Sequence, residues 1–148
     1  MLDRNLHPTQ RLALLAAVNP QSASTAQVSG WIDASKFDNF LALVAVGALG
    51  SGATVDAKIQ QAQDSSGTAA KDVAGKAVTQ LTKTGSNDNG QCLINLKQDE
   101  LDFANGYGFI QLSVTPGVAA SLIFAALFGF DARYEPPSQA ASVEQTIL

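Results

Sequence analysis

The chain has 148 residues, of which 46% are hydrophobic and 15% are charged, and its formal net charge is −4. This length suits one domain whose core needs no metal ion or disulfide to be stable. Charged residues usually make up about 25% of a soluble domain, so the low share predicts that a partner covers part of the surface. The negative charge argues against direct contact with nucleic acid, because such binding requires clustered Lys and Arg side chains.

The first segment, residues 1–26, is predicted to be an N-terminal arm. An apolar run at 12–18 follows Pro8 and ends before Asn19 and Pro20, and residues 21–27 are small and polar, as in a linker. The run can be a short helix that begins at Pro8 or an extended strand, and the sequence leaves both open. The run resembles a signal peptide only faintly, because Asp3 precedes it and its length is minimal, so no cleavage is expected.

Residues 27–131 show the two-residue alternation of apolar and polar side chains that is typical of β-strands. Turns rich in Gly, Asn and Asp separate these segments, and no alternation of strands with helices is present. The segment therefore predicts an all-β fold, an antiparallel β-sandwich or a jelly roll, with extended N- and C-terminal arms. The predicted strands lie at 40–46, 54–61, 92–96, 110–114 and 118–131, with a weaker candidate within 68–83.

The last predicted strand is apolar on both sides. Alternation places Leu122, Phe124, Ala126, Phe128 and Phe130 on one side and Ile123, Ala125 and Leu127 on the other. We assign the side with Phe124 to the core and the side with Ile123 and Leu127 to a contact with another subunit. The apolar stretch of residues 118–130 is too short to cross a bilayer as a helix, so no membrane span is expected.

Residues 132–148 form a predicted C-terminal tail. Pro136 and Pro137 disfavour regular structure, and the polar stretch that follows has little apolar content with which to fold alone. We expect the tail to be extended and to be held by a neighbouring subunit.

Side chains that carry chemistry are sparse. His7 is the only histidine and Cys92 is the only cysteine, so neither a metal site of His and Cys ligands nor an intramolecular disulfide is expected. The acidic group Asp99, Glu100 and Asp102 lacks the alternating oxygen ligands of a calcium loop and is interpreted as a solvated turn. The sequence predicts no enzyme activity, no cofactor and no metal.

Four stretches resemble a family of small structural proteins of tailed phages and prophages. They are VSGWIDASKF at 28–37, AKIQQAQDSSGT at 57–68, ELDFANGY at 100–107 leading into the strand that ends at Val114, and DARYEP at 131–136. The family is similar to head decoration, cement or minor capsid proteins. The resemblance implies a virion protein of the phage head, assembled in the host cytoplasm, that stabilises or decorates the capsid.

The resemblance also implies the partners, namely the major capsid protein and copies of this chain, with a trimer as the first guess. Two alternatives remain open: a receptor- or glycan-binding module, and a head–tail connector or tail component. The candidate subunit-interface residues combine the resemblance with the apolar pattern, and they are Leu12, Leu15, Ile123, Leu127, Tyr134, Ile147 and Leu148.

Overall fold

The computed structural model describes residues 5–147, which fold mainly into β-strands. Short 3-10 helices at Pro8–Gln10, Ala34–Lys36, Gln98–Glu100 and Phe103–Asn105 occupy connections. The strands are β1 (Leu12–Ala23), β2 (Gln27–Val28), β3 (Ile32–Asp33), β4 (Phe37–Leu49), β5 (Thr54–Ala62), β6 (Lys71–Ala77), β7 (Leu81–Thr82), β8 (Gln91–Lys97), β9 (Phe109–Gly117) and β10 (Ser121–Ala132).

The strands form two antiparallel sheets that pack face to face. Sheet A has four strands in the order β1-β10-β4-β8. Sheet B has the order β2-β9-β5-β6, with β3 also paired to β9 and β7 also paired to β5. The chain crosses between the sheets at most connections, although β2 and β3 both lie in sheet B, as do β5, β6 and β7. The first and last strands, β1 and β10, pair with each other in sheet A. This strand order is that of a jelly roll, and it confirms the predicted antiparallel β-sandwich.

Strand β1 corrects the prediction for the N-terminal segment. The sequence assigned residues 1–26 to an arm outside the sandwich, whereas β1 pairs with β10 from Leu12↔Phe130 to Ala23↔Ser121 and forms an edge of sheet A. Ala13 and Val18 point from β1 into the core and are buried. The apolar run is therefore a strand whose partner lies about a hundred residues further along the chain, a pairing that local patterns do not reveal.

The core lies between the inner faces of the two sheets. Sheet A contributes aromatic, aliphatic and small side chains from β4 and β10, and sheet B contributes mainly aliphatic side chains from β5 and β9. Each inner position alternates with an outward one, as the two-residue period of a strand requires. The largest fully buried side chains are Val44, Val55, Ile59, Leu96, Ile110, Leu112, Val114, Leu127 and Ser121.

Candidate subunit interface

The outward side of sheet A is largely apolar on β1, β10 and β4, and on β8 it is apolar at Leu93, which lies between Gln91 and Asn95. In register, Phe128 of β10 lies opposite Leu14 of β1 and Leu41 of β4. One step along the sheet, Leu43 of β4 lies opposite Leu93 of β8. Residues that are directly opposite in an antiparallel pair point to the same side, so these rows form one continuous surface. We call this surface the apolar face, and its side chains are those of Leu12, Leu14, Ala17, Leu41, Leu43, Ala45, Leu93, Leu122, Phe124, Ala126, Phe128 and Phe130.

The apolar face is open to solvent in the described chain. Leu93 is 63% exposed and Leu122 is 48% exposed, and the rings of Phe124, Phe128 and Phe130 are half-buried. Polar and charged groups stand only at its margin, among them Lys97 at the end of β8. An antiparallel sheet that faces water normally carries polar side chains on its outward positions. Contiguous exposed apolar surfaces are typical of sites that contact other molecules.

The outward side of sheet B has the opposite character. Asp56, Lys58 and Gln60 alternate along β5, and they lie opposite Thr115, Ser113 and Gln111 of β9. We call this surface the polar face, and it includes Asp72 of β6, which is the register partner of Gln60.

Ion pairing and hydrogen bonding organise the polar face. The Asp72 carboxylate accepts hydrogen bonds from Lys58 Nζ at 2.9 Å and from Gln60 Nε2 at 3.1 Å. The bond from Lys58 is the main reason that the pKa of Asp72 lies below its ordinary value. Asp56 and Thr115 of this face are exposed, whereas Ser113 and Gln111 are 7% and 8% exposed.

Strand β10 presents the two sides in the reverse of the predicted assignment. Ile123 and Leu127, predicted to contact another subunit, are 3% and 0% exposed and belong to the core, as does Leu15 in part. The outward side chains are the larger ones, including Phe124 and Phe128. A shift of one position exchanges the two sides of a strand, and both sides here are apolar, so alternation alone did not fix the choice.

A close approach at Gly129 explains the orientation of β10. A Cβ atom at Gly129 would lie 2.7 Å from the ring of Phe37 and 2.9 Å from Leu15 Cδ1. The inner side of β10 therefore has no room for a large side chain near this end. The glycine at an odd-numbered position was the signal in the sequence that could have set the register.

The remaining predicted interface residues fall in different places. Leu12 lies on the apolar face, opposite Phe130. Tyr134 and Ile147 are in the tail and are 87% and 86% exposed. Leu148 lies outside the described residues.

The tail contacts the free edge of β1. The side chain of Gln139 accepts a hydrogen bond from the Leu14 N–H at 2.8 Å and donates one to the Leu12 carbonyl at 2.9 Å. The N–H of Ala140 donates to the Leu14 carbonyl at 2.8 Å. The sequence predicted that a neighbouring subunit holds the tail, whereas this part of it is held by the chain's own edge strand. Such coverage protects edge groups that would otherwise pair with another chain.

Two shallow concavities adjoin the apolar face. One, of about 550 Å³, lies beside β4, β8 and the C-terminal end of β10, and its lining includes Asn39, Asn95 and Phe130. The other, of about 380 Å³, lies between β1, β10 and β4 and includes Pro20, Ala45, Leu122 and Phe124. We call the second one the β1–β10 groove.

The acidic turn that precedes β9 is satisfied by neighbouring lysines. Asp102 Oδ2 lies 2.6 Å from Lys71 Nζ, and Glu100 Oε1 lies 2.9 Å from Lys76 Nζ. The pKa of Asp102 is lowered chiefly by the bond from Lys71, and the pKa of Glu100 is lowered chiefly by the backbone N–H of Lys97. Within residues 5–147, no cluster of three or more His, Cys, Asp or Glu side chains could hold a metal ion. Over the same residues, no helix has the length and apolar character needed to span a membrane.

Comparison with known proteins gives likenesses in structure only. No protein-family model matches the chain, and no curated protein matches it. A chain from the naturally occurring empty particles of cowpea mosaic virus, its top component, is 12% identical, with a TM-score of 0.41 over 97% of this chain and 96% of that chain. A chain from an empty virus-like particle of the same virus is 11% identical, with a TM-score of 0.42 over 98% and 95%.

A third solved structure is more distant. A chain of black queen cell virus is 11% identical, with a TM-score of 0.38 over 90% of this chain and 67% of that chain. All three likenesses are remote, and the jelly-roll assignment rests on the strand order of the chain itself.

Proposed function

We propose that the chain is a structural subunit of a virus particle and that it binds other subunits through the apolar face of sheet A. The single observation that carries the proposal is the difference between the two outer faces. Both sheets have an outer face that points away from the shared core. The outer face of sheet B carries Asp56, Lys58 and Gln60 on its central strand β5, whereas large apolar side chains run across the outer face of sheet A on β1, β10 and β4 and at Leu93 of β8. Exposure of that surface to water is unfavourable by about 25 cal/mol for each Å² of apolar area, so association that buries it is favoured.

The chemistry of the apolar face suits protein contacts. Its aromatic members, Phe124, Phe128 and Phe130, supply the large buried areas that dominate interface energetics. The face carries no ionised side chain, so two copies of a chain with a net charge of −4 can meet there without placing like charges in contact. Closed symmetric assembly is the usual way to bury such a surface.

The virus assignment is supported by the fold class and by the sequence. Jelly rolls are common in viral capsid domains and in lectin domains. The resemblance of the stretches at 28–37, 57–68, 100–114 and 131–136 narrows the proposal to decoration, cement or minor head proteins of tailed phages. On this proposal the partners are the major capsid protein and copies of the chain, with a trimer as the first oligomer to test. The location is the phage head, with assembly in the host cytoplasm, and the role involves no catalytic step.

Quantitative mass spectrometry of purified particles tests the proposal. The expected result is a fixed, high ratio of this chain to the major capsid protein, as a protein that covers the head surface requires. A ratio corresponding to one ring of subunits per particle would instead indicate a head–tail connector or tail component. Absence of the chain from particles would overturn the virion role.

A second candidate function is glycan or receptor binding, which the concavity of about 550 Å³ favours. Its lining combines the half-buried ring of Phe130 with the amides of Asn39 and Asn95, and sugars are bound by rings and amides of this kind. A glycan array with the purified chain separates the two candidates. Binding that is lost in Phe130→Ala, with unchanged self-association, supports this second function.

A further inference from the structure

The turn between β9 and β10 holds Val118 in a backbone conformation that its side chain disfavours. Its φ is +68°, in the left-handed region. The other non-glycine residues with positive φ among residues 5–147 are Ala69, Ser86, Asn89 and Asp131, and none of these is β-branched. A β-branched side chain at positive φ is an outlier, because its branched Cβ crowds the backbone.

The turn itself is tight and is fixed by its neighbour. The N–H of Ala119 donates to the carbonyl of Gly117 at 2.8 Å, which closes a three-residue turn around Val118. A three-residue turn with positive φ at its centre is rare and strained. The adjacent β4–β5 turn packs so closely that a Cβ atom at Gly50 would lie 2.5 Å from the Ala120 carbonyl oxygen. The β4–β5 turn therefore packs directly against Ala119 and Ala120, the two residues that follow Val118.

In the isolated chain, the Val118 side chain makes little stabilising contact that could offset this strain. It is 83% exposed, and a Cβ atom built on Gly52 would lie 3.6 Å from its Cγ1, an ordinary contact. Glycine at this position would avoid the strain. Strained residues persist where the surrounding structure forces them, and they cluster at functional sites. A β-branched side chain has few rotamers, so an exposed Val on a tight turn is suited to enter a concavity of a partner at a small cost in ordering.

We infer that Val118 of one copy inserts into the β1–β10 groove of a second copy. The groove has a volume of about 380 Å³, and its lining is largely apolar and has no ionisable side chain. Val118 and the groove are different parts of the same chain, so the contact can be made twice in a two-fold dimer or once at each interface of a closed ring. The inference rests on the proposed self-association through the apolar face, to which Ala45, Leu122 and Phe124 of the groove belong. It adds the residue that enters and the site that receives it.

Two variants test the inference from its two sides. Val118→Gly removes the inserted side chain and also relieves the strain. Ala45→Tyr fills the groove from an outward position of β4, opposite Phe124. Val118→Ile is the matched control, because it keeps a β-branched apolar side chain of similar shape. Sedimentation velocity over a range of concentrations gives the dissociation constant, and thermal melting of the dilute chain gives Tm.

The expected result is a separation of stability from association. Val118→Gly should raise Tm or leave it unchanged while it weakens self-association by about tenfold or more, as loss of one buried aliphatic side chain requires. Ala45→Tyr should weaken association to a similar extent, and Val118→Ile should preserve it. A merely structural role for Val118 would leave association unchanged in Val118→Gly, and that result overturns the inference.

Failure of the inference is distinguishable from failure of the proposed function. If Val118→Gly and Ala45→Tyr both associate as the original chain does while Leu93→Asp does not, the insertion is wrong and the apolar face stands. If Leu93→Asp also associates normally, or if the original chain is monomeric at the highest concentration tested, both proposals fail.

Discussion

The two outer faces of this sandwich carry side chains of opposite polarity. On the polar face, Lys58 and Gln60 both donate hydrogen bonds to Asp72, so these groups are paired within a single chain. On the apolar face, the side chains of Leu43 and Phe128 have no group that can form a hydrogen bond with water. Both sheets share one core and the same strand geometry, so the difference does not arise from folding. The difference supports the proposal that a partner covers the apolar face of sheet A.

Within β10 the comparison can be drawn between adjacent residues. Leu127 faces the core and is fully buried, while Phe128 faces outward and is half-buried. Composition does not distinguish the two sides, and only the register does.

The largest effect is expected for a charge on the inner side of β10. Leu127→Asp should prevent folding or cost more than about 4 kcal/mol, because it buries a carboxylate with no partner. Leu122→Asp, on the outer side of the same strand, should cost about 1 kcal/mol or less. Chemical denaturation followed by circular dichroism measures both. Equal destabilisation by the two variants would contradict the register of β10.

The next effect separates the two outer faces. Leu93→Asp places a charge on the apolar face at a position that is already 63% exposed, so folding should be nearly unaffected. Self-association should weaken by at least tenfold, about 1.4 kcal/mol, because the charge must be desolvated at the interface. The matched control is Thr115→Asp on the polar face, which should leave association unchanged. Analytical ultracentrifugation of both variants gives the two dissociation constants. Loss of association in the control alone would show that the polar face, and not the apolar face, is the interface.

A smaller effect is expected at the edge of sheet A. Gln139→Ala removes the side-chain bonds to the Leu14 N–H and the Leu12 carbonyl, which should cost about 1–2 kcal/mol. Amide hydrogen exchange at Leu14 should become faster, since its donor is left open to water. Gln145→Ala, at an exposed position further along the tail, should change neither quantity. An unchanged exchange rate at Leu14 in Gln139→Ala would show that the tail does not protect the edge.

The smallest effect is the response to pH. Each of the five carboxyl groups with a lowered pKa contributes stability that is present above its unfolded pKa of about 4 and is lost as the pH falls through the folded pKa. Tm should therefore be nearly constant from pH 8 to pH 5 and should decrease below about pH 4. The groups are Asp64, Asp72, Asp88, Glu100 and Asp102.

Self-association should follow a different rule, because the apolar face holds none of these carboxylates. The dissociation constant should change little between pH 5 and 8 and should not increase with added salt, which screens charges but does not weaken apolar contacts. Association that salt disrupts would point to an electrostatic interface elsewhere on the chain.

The strands were predictable where one side is polar and the other apolar. The alternation of Asp56, Lys58 and Gln60 with Val55 and Ile59 identifies β5 and its orientation together, because only one side can face water. Turn residues separate the strands for reasons that are local, such as the Asp64 carboxylate, which accepts from the N–H groups of Ser66 and Thr68. Fold class follows from features of this kind.

The errors came from strands that are apolar on both sides. In β10, and in the segment that became β1, the residues carry no polar marker for the outward side, so register depends on distant partners. The apolar face is the origin of this ambiguity. The outward apolar side chains of the proposed interface are also the reason that alternation in the sequence cannot fix the orientation of these strands. The tail was misjudged for a related reason, since its contact with β1 is made by the Gln139 side chain and the Ala140 N–H, which no local pattern marks.

Hydroxyl-radical footprinting of the apolar face tests the central claim most directly. The reactivity of Phe124, Phe128 and Leu93 is measured in the dilute chain and in the assembled state, with Tyr107, outside the apolar face, as an internal reference. The account predicts that the apolar-face residues become protected on assembly while the reactivity of Tyr107 stays the same. Equal reactivity of Phe124, Phe128 and Leu93 in the two states would contradict it.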